Sequence, residues 1–261
     1  MLIDSHCHLD LLDLEACGGD LDAVLAQAAG EGVSGFLCIS VTPEHFPRVR
    51  GLAERYPAVW ASAGVHPSQK LASEPDEETL IAMADHPRVI AVGETGLDYH
   101  YNQGDLDWQR ERFRRHVRAA RAVGKPLVIH SRAARADTLR ILDEEGARDV
   151  GGVMHCFAED WDTARAAMDL GFLISFSGIV TFRNADALRE VAARVPPDAM
   201  LVETDAPWLT PVPHRGRTNQ PAYVRHVAER IAQLHETSLE DVATTTTANF
   251  FRLFTGAQLS G

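Results

Sequence analysis

One pattern repeats along the chain: a short, densely apolar run, then a longer stretch in which apolar residues recur every three or four positions. The apolar, β-branched runs are Met1–His6, Val33–Ser40, Val59–Val65, Arg88–Glu94, Pro126–His130, Gly152–Cys156, Phe172–Ser177 and Met200–Asp205. Most lack polar/apolar alternation, as expected of strands covered on both faces in a parallel sheet. Between them, Leu21–Gly30, Ala133–Glu145, Asp160–Leu170, Asn184–Arg194, Pro221–His235 and Leu239–Phe254 read as helices. Asp107–Val123 follows the same logic, with apolar positions at i, i+3 and i+4 and a stop at Gly124 and Pro126.

Eight strand candidates in 261 residues give one βα unit per about 33 residues. That is the arithmetic of an α/β protein built as a (β/α)8 TIM barrel. A doubly wound open sheet is the alternative, but it wants a Gly-rich first turn, and no G-x-G-x-x-G follows Met1–His6. No Ser/Gly-rich linker or charge block divides the chain, so a single domain over 1–261 is expected.

Composition adds exclusions. The net charge of −12 argues against an open basic face for nucleic acid, so an anionic substrate needs local neutralisation by metal or by a few placed arginines. Cys7, Cys17, Cys38 and Cys156 form no C-x-x-C pair and read as reduced thiols of a cytoplasmic protein. MLIDSHCHLD lacks the basic and apolar regions of a secretion signal, and no apolar run approaches the ~18 residues of a membrane span.

The 12 histidines direct attention to metal ligands. In a barrel, chemistry gathers at the C-terminal ends of the strands, and six of the eight candidates end there in His, Glu or Asp. They end in His6-Cys7-His8, His66-Pro67, Glu94 through Asp98, His130-Ser131-Arg132, His155-Cys156 and Glu203-Thr204-Asp205. His6 and His8 leave an extended strand on one face while Cys7 points the other way. His6, His8, Glu94, His130, His155 and Asp205 are too many for one tetrahedral ion but enough for two divalent ions sharing a carboxylate. Asp205 is a candidate both as ligand and as acceptor of a proton from an attacking water.

Around this set, His66 stands either as a substrate or phosphate contact or as a structural hydrogen-bonding group. Arg132, two residues after His130, and Arg215, in the turn-rich Pro213–Arg217 segment, are candidate clamps for an anionic oxygen, or else solvated charges. His45, His86, His116, His226 and His235 read as solvated or capping, and the charge-laced face of Asp107–Arg121 reads as solvated.

Taken in order, SHCHLD, GVHP, VGETGLDYH, PLVIHSR, MHCF, SFSG, ETDAPWL, PHRGRTNQP and ANFFRLF resemble the TatD family of metal-dependent deoxyribonucleases, close to its YcfH-like branch. The resemblance spans residues 4 to 254. It implies a barrel hydrolase that cuts phosphodiester bonds with divalent metal, Mg2+, Mn2+ or Zn2+. It further implies His6, His8 and Asp205 on one ion, His130 and His155 on the other, Glu94 between them, and Glu203 orienting a ligand or water. Ala158-Glu159-Asp160 departs from the family's small Ser/Thr-Gly turn and adds negative charge beside the expected site. The expected activity is a deoxyribonuclease trimming short or single-stranded DNA ends. An amidohydrolase-type ester or amide hydrolase, such as an aminoacyl-tRNA deacylase, is the alternative, since the same activated water attacks phosphorus or carbonyl carbon. No obligate protein partner is evident.

Overall fold

Eight strands lie side by side in chain order in one parallel sheet. They are β1 Leu2–Cys7, β2 Val33–Cys38, β3 Val59–Ala63, β4 Val89–Asp98, β5 Leu127–Arg132, β6 Gly152–Met154, β7 Phe172–Phe176 and β8 Met200–Val202. The helices alternating with them are α1 Leu21–Gly30, α2 Phe46–Arg55, α3 Glu77–Ala84, α4 Asp107–Val123, α5 Arg135–Glu144, α6 Trp161–Asp169, α7 Asp186–Arg194 and α8 Val224–Leu234, with α9 Leu239–Leu253 following directly. The sheet curls into a TIM barrel. This computed structural model describes residues 1–258, and the last three positions of the expected 1–261 span lie outside the described residues. Among the described residues, no helix is long and apolar enough to cross a membrane.

The seam between β8 and β1 closes by other means than a regular ladder. Backbone bonds just past the strand ends join them, Asp205 N to His6 O at 2.9 Å and His8 N to Ala206 O at 2.8 Å. Below these, the buried Asp4 carboxylate accepts from Thr204 N at 2.8 Å and Thr204 Oγ1 at 2.6 Å. Burial outweighs these bonds and pushes the Asp4 carboxyl up to about 8.

Two apolar layers account for the barrel's stability. Outside the strands, Cys7, Phe36 and Val92 pack with helix residues such as Phe113, Ile141 and Val227. Inside, Ile3, Leu37, Trp60, Val128 and Leu201 form a separate cluster, completed by Phe250 and Phe254 of α9. Trp60 and Phe250 meet with ring centroids 5.3 Å apart. The floor of the barrel is therefore filled with hydrocarbon, worth about 1.5–3 kcal/mol for each large side chain fully buried. Polar side chains collect at the opposite, C-terminal end of the strands.

The strand limits differ from expectation in two informative ways. β4 runs on through Glu94 to Asp98, because Gly96, at φ +131°, lets it lie close against β5; a Cβ there would sit 2.0 Å from His130 O. β6 and β8 are shorter than expected, so His155 and Asp205 stand just beyond their strands. The helices α2 and α3 carry weak signals: only Phe46, Val49 and Ala53 are buried in the first, and Leu80 and Ala84 in the second.

Candidate metal centre

A single carboxylate stands at the centre of the barrel mouth. Glu94, buried on β4, has Oε1 3.0 Å from His155 Nε2, 3.1 Å from His130 Nδ1 and 3.4 Å from His66 Nε2. Its Oε2 lies 3.4 Å from His6 Nε2. Four histidines from four different strand ends thus converge on one side chain. Burial opposes its ionisation, but these imidazoles, His155 foremost, hold the carboxyl well below the usual carboxylate range.

Beside it, Asp205 Oδ1 lies 3.4 Å from His8 Nε2 and 3.5 Å from His6 Nε2, and the two imidazole nitrogens are 3.3 Å apart. Cys7, between the two histidines, turns away and points its thiol at Leu37 O. Asp205 occupies left-handed backbone at φ +56°, a conformation that costs on the order of 1–3 kcal/mol in a non-glycine residue. The tight turn carries the chain from β8 back over the mouth and aims this carboxyl at the β1 histidines.

Two further carboxylates fix ring orientations. His155 Nδ1 lies 3.0 Å from Glu203 Oε1, which also accepts from Cys156 N at 2.9 Å. His130 Nε2 lies 3.0 Å from Asp98 Oδ2. A carboxylate on one ring nitrogen places a proton there and turns the other nitrogen toward Glu94, the arrangement found behind metal-ligating histidines. Burial opposes ionisation of Asp98 too, but the His130 bond and the backbone N–H groups of Tyr101 and His100 bring its carboxyl down to about 2. Asp98 was absent from the sequence-derived set. Its signal was its place four residues after Glu94, visible only once β4 is known to continue.

His66 differs from the others. Ser68 N donates to its Nδ1 at 3.1 Å, and Ser68 Oγ lies 2.7 Å from the same atom. A backbone N–H can only donate, so Nδ1 is bare and the proton of the neutral ring sits on Nε2, the atom facing Glu94. His66 thus keeps a hydrogen-bond donor toward Glu94, whereas His130 and His155, on losing the proton that faces Glu94, would offer lone pairs to a metal.

The support for His66 comes from one face of α4, whose charge pattern predicts a solvated surface. Gln109 Nε2 donates to Pro67 O at 2.9 Å, while its Oε1 accepts from Asp98 N at 2.8 Å. The buried Arg112 grips Glu74 and donates to Gln69 O at 2.7 Å and His66 O at 3.2 Å. His116, expected to be solvated or capping, is fully buried: its Nδ1–H donates to Arg112 O at 2.8 Å and its Nε2 accepts from Val65 N at 3.1 Å. On the outer face of the helix Arg114, Arg118 and Arg121 pair with Glu144, Glu145 and Asp149, and Arg110 with Asp107.

The two candidate arginines lie outside the cluster. Arg132 is exposed at the rim with its guanidinium 4.6 Å from the Tyr101 ring centre. Arg215 lies over Phe182 at 3.9 Å and donates to Thr210 O at 2.9 Å, which braces its own loop. Neither donates to a carboxylate of the cluster among the described residues.

The donor set fits divalent metal. His6, His8 and Asp205 offer ligand atoms all within 4.8 Å of one another, as do His66, Glu94 and His130, and also His6, His155 and Glu203. The second grouping loses His66 on the tautomer argument, leaving His130 and His155 around Glu94. Glu203 Oε2 is buried without a hydrogen-bond partner, as are Nδ1 of His6 and of His8. So much buried negative charge needs a cation. In the protein alone the histidines supply it: burial disfavours the His155 cation, yet Glu94 and Glu203 pull its pKa well above the ordinary value. Mixed imidazole and carboxylate ligands suit zinc, manganese and related ions.

Comparison with known proteins agrees with this geometry. Residues 3–255 match the family described as TatD related DNase. The chain is 51% identical over 254 residues to the metal-dependent hydrolase YcfH of Escherichia coli K12, covering 97% of this chain and 95% of that one. It is 35% identical over 242 residues to the 3'-5' ssDNA/RNA exonuclease TatD of Salmonella typhimurium, covering 90% and 93% respectively. The crystal structure of YJJV, a TatD homologue from Escherichia coli K12, superposes with a TM-score of 0.87 at 28% identity, covering 97% of this chain and 98% of that one. By this match over nearly its whole length, the chain belongs to the TatD related DNase family and is a metal-dependent hydrolase.

Proposed function

We propose that the chain is a phosphodiesterase that trims short or single-stranded DNA ends, with two divalent ions held around Glu94. The observation that carries this reading is the buried Glu94 carboxylate within 3.4 Å of four imidazoles, one oxygen toward His6 and the other toward His66, His130 and His155. His6, His8 and Asp205 would hold one ion and His130 and His155 the other, with Glu94 available to both. Bound there, Mg2+, Mn2+ or Zn2+ would polarise a phosphodiester and acidify a water.

The protein's own groups then have separate tasks. Asp205, whose side chain is more exposed than those of His6 and His8, takes a proton from the attacking water. His66 Nε2–H donates to a non-bridging phosphate oxygen. Asp98 and Glu203 hold His130 and His155 in the tautomers the site needs. Arg132, exposed at the rim, meets an outlying phosphate; Arg215 acts through the loop it braces. One catalytic barrel over 1–261 suffices for these roles. The four cysteines are all free, in keeping with a reducing, cytoplasmic setting.

Support for a nucleic-acid substrate comes from the family and from the relative named as a single-strand exonuclease. The net charge of −12 supports ends rather than long duplex, because non-specific grip on duplex needs many phosphate contacts. Labelled single-stranded oligonucleotide, incubated metal-free and with Mg2+, Mn2+ or Zn2+, tests the reading. A ladder growing from one end, only with metal, is expected. Intact oligonucleotide under every cation, alongside cleavage of aminoacyl esters or amides, would replace it with a carbonyl hydrolase. Closed circular duplex cut as fast as oligonucleotide would remove the preference for ends.

A further inference from the structure

We propose that Tyr101 and Trp208 are a pair of base-stacking platforms on opposite sides of the barrel mouth. A single strand then lies across the mouth, with a base on each ring and the phosphodiester between them over the Glu94 cluster. This deepens the phosphodiesterase reading and rests on it.

Exposure singles these rings out. Among the described residues the exposed large apolar side chains are Met1, Tyr101, Trp208 and Val212, with Tyr101 at 67% and Trp208 at 48%. Apart from the N-terminal Met1, all belong to the loops that follow β4 and β8, at the same end of the barrel as the cluster. In a ring of eight strands taken in order, the β8/β1 seam lies across the barrel from β4 and β5. The two aromatic rings therefore stand on opposite sides of the mouth.

Each ring is also tied by one short turn to the cluster. Trp208 N donates to Asp205 O at 2.9 Å, and its ring stands edge-on to His8 with centroids 4.9 Å apart. On the other side, Tyr101 N donates at 2.8 Å to Asp98 Oδ1, while the second oxygen of Asp98 holds His130. Arg132 lies over the Tyr101 ring, which places a cation where a neighbouring phosphate would pass. The Asp98 carboxylate that orients His130 thus also positions the Tyr101 turn, and the Asp205 backbone carbonyl positions the Trp208 turn.

Stacking also answers a question that charge leaves open. A chain with net charge −12 has little long-range pull on a polyanion. Base–aromatic stacking is insensitive to sequence and is worth about 5- to 100-fold in affinity per base. It requires unpaired bases, so it selects single strands and frayed ends without a basic groove.

The test compares two labelled strands of equal length, an oligothymidylate and an abasic phosphodiester chain. Binding is read by fluorescence anisotropy with Ca2+ in place of the catalytic ion, and cleavage with Mg2+, Mn2+ and Zn2+ in turn. The wild type is expected to favour the strand that carries bases. Trp208→Ala and Tyr101→Ala should each lose about 5- to 100-fold on that strand, mainly in KM, and little on the abasic chain. Trp208→Phe and Tyr101→Phe should retain most of the preference. Equal affinity of the wild type for both strands, or an equal loss on both strands in the alanine variants, would overturn the platforms. Base-selective binding without cleavage under any cation would instead sink the phosphodiesterase reading and leave the platforms standing. An enzyme that bound neither strand would sink both.

Discussion

At the scale of single residues, the site is an arrangement of protons as much as of ligands. Glu203 accepts from His155 Nδ1 and Cys156 N, and Asp98 from His130 Nε2 and two backbone N–H groups, so each carboxylate fixes a ring and a turn together. Replacing Glu203 with Gln keeps the volume but offers His155 a neutral partner. Metal affinity is then expected to fall about 10- to 100-fold with the fold intact. Isothermal titration with Mn2+ or Zn2+, beside a circular dichroism melt, measures this; unchanged affinity would show that Glu203 does not orient His155 for metal. The paired histidines and the strand-end acids could be read from the chain because each closes an apolar run. Asp98 could not, since its role depends on β4 continuing through Gly96, a close approach to β5 that no local pattern announces. Arg132 kept its expected strand position at i+2 from His130, yet it leans over Tyr101, a residue from the neighbouring loop.

At the scale of elements, α4 is the strut that presents His66. Gln109, Arg112 and His116 fall at i, i+3 and i+7, one buried face of a helix that is otherwise charged. In sequence such a face cannot be told from a solvated one, because what buries it is the loop after β3, far away along the chain. His116 makes the consequence measurable. Burial brings its pKa down from 6.5 to about 4, and a proton on Nε2 would meet the Val65 N–H head-on. Since the folded pKa lies below the unfolded one, the stabilisation is complete above pH 6.5 and drains away as pH falls toward 4. The shift corresponds to about 3 kcal/mol across that window. Urea unfolding at pH 7 and pH 4 should therefore show the wild type losing about that much more stability than His116→Gln. Equal losses in the two proteins would contradict the buried neutral ring. The short helices α2 and α3 are hard to read for other reasons: α2 spans only ten residues with Phe46, Val49 and Ala53 buried, and α3 ends in the unbroken apolar run Leu80–Ala84, which has no helical period.

At the scale of the whole molecule, the barrel separates stability from chemistry. Its floor is sealed by Trp60, Phe250 and Phe254, so the mouth is free to hold buried acids and imidazoles that would be intolerable in an apolar core. The alternation of eight apolar runs with amphipathic stretches carried this architecture in the sequence, because each βα unit repeats the same burial problem. The seam carried no such signal: Asp4 closes β1 against Thr204, 200 residues away. In the proposed chemistry Glu94 joins two ions and hydrolysis depends on both. The most direct measurement is divalent metal bound per chain after dialysis, for the wild type and Glu94→Gln, with oligonucleotide cleavage assayed on the same samples. Two ions per wild-type chain are expected and fewer in the variant, with a rate lower by on the order of 10²–10³-fold or more. A variant that kept both ions and full activity would contradict that chemistry.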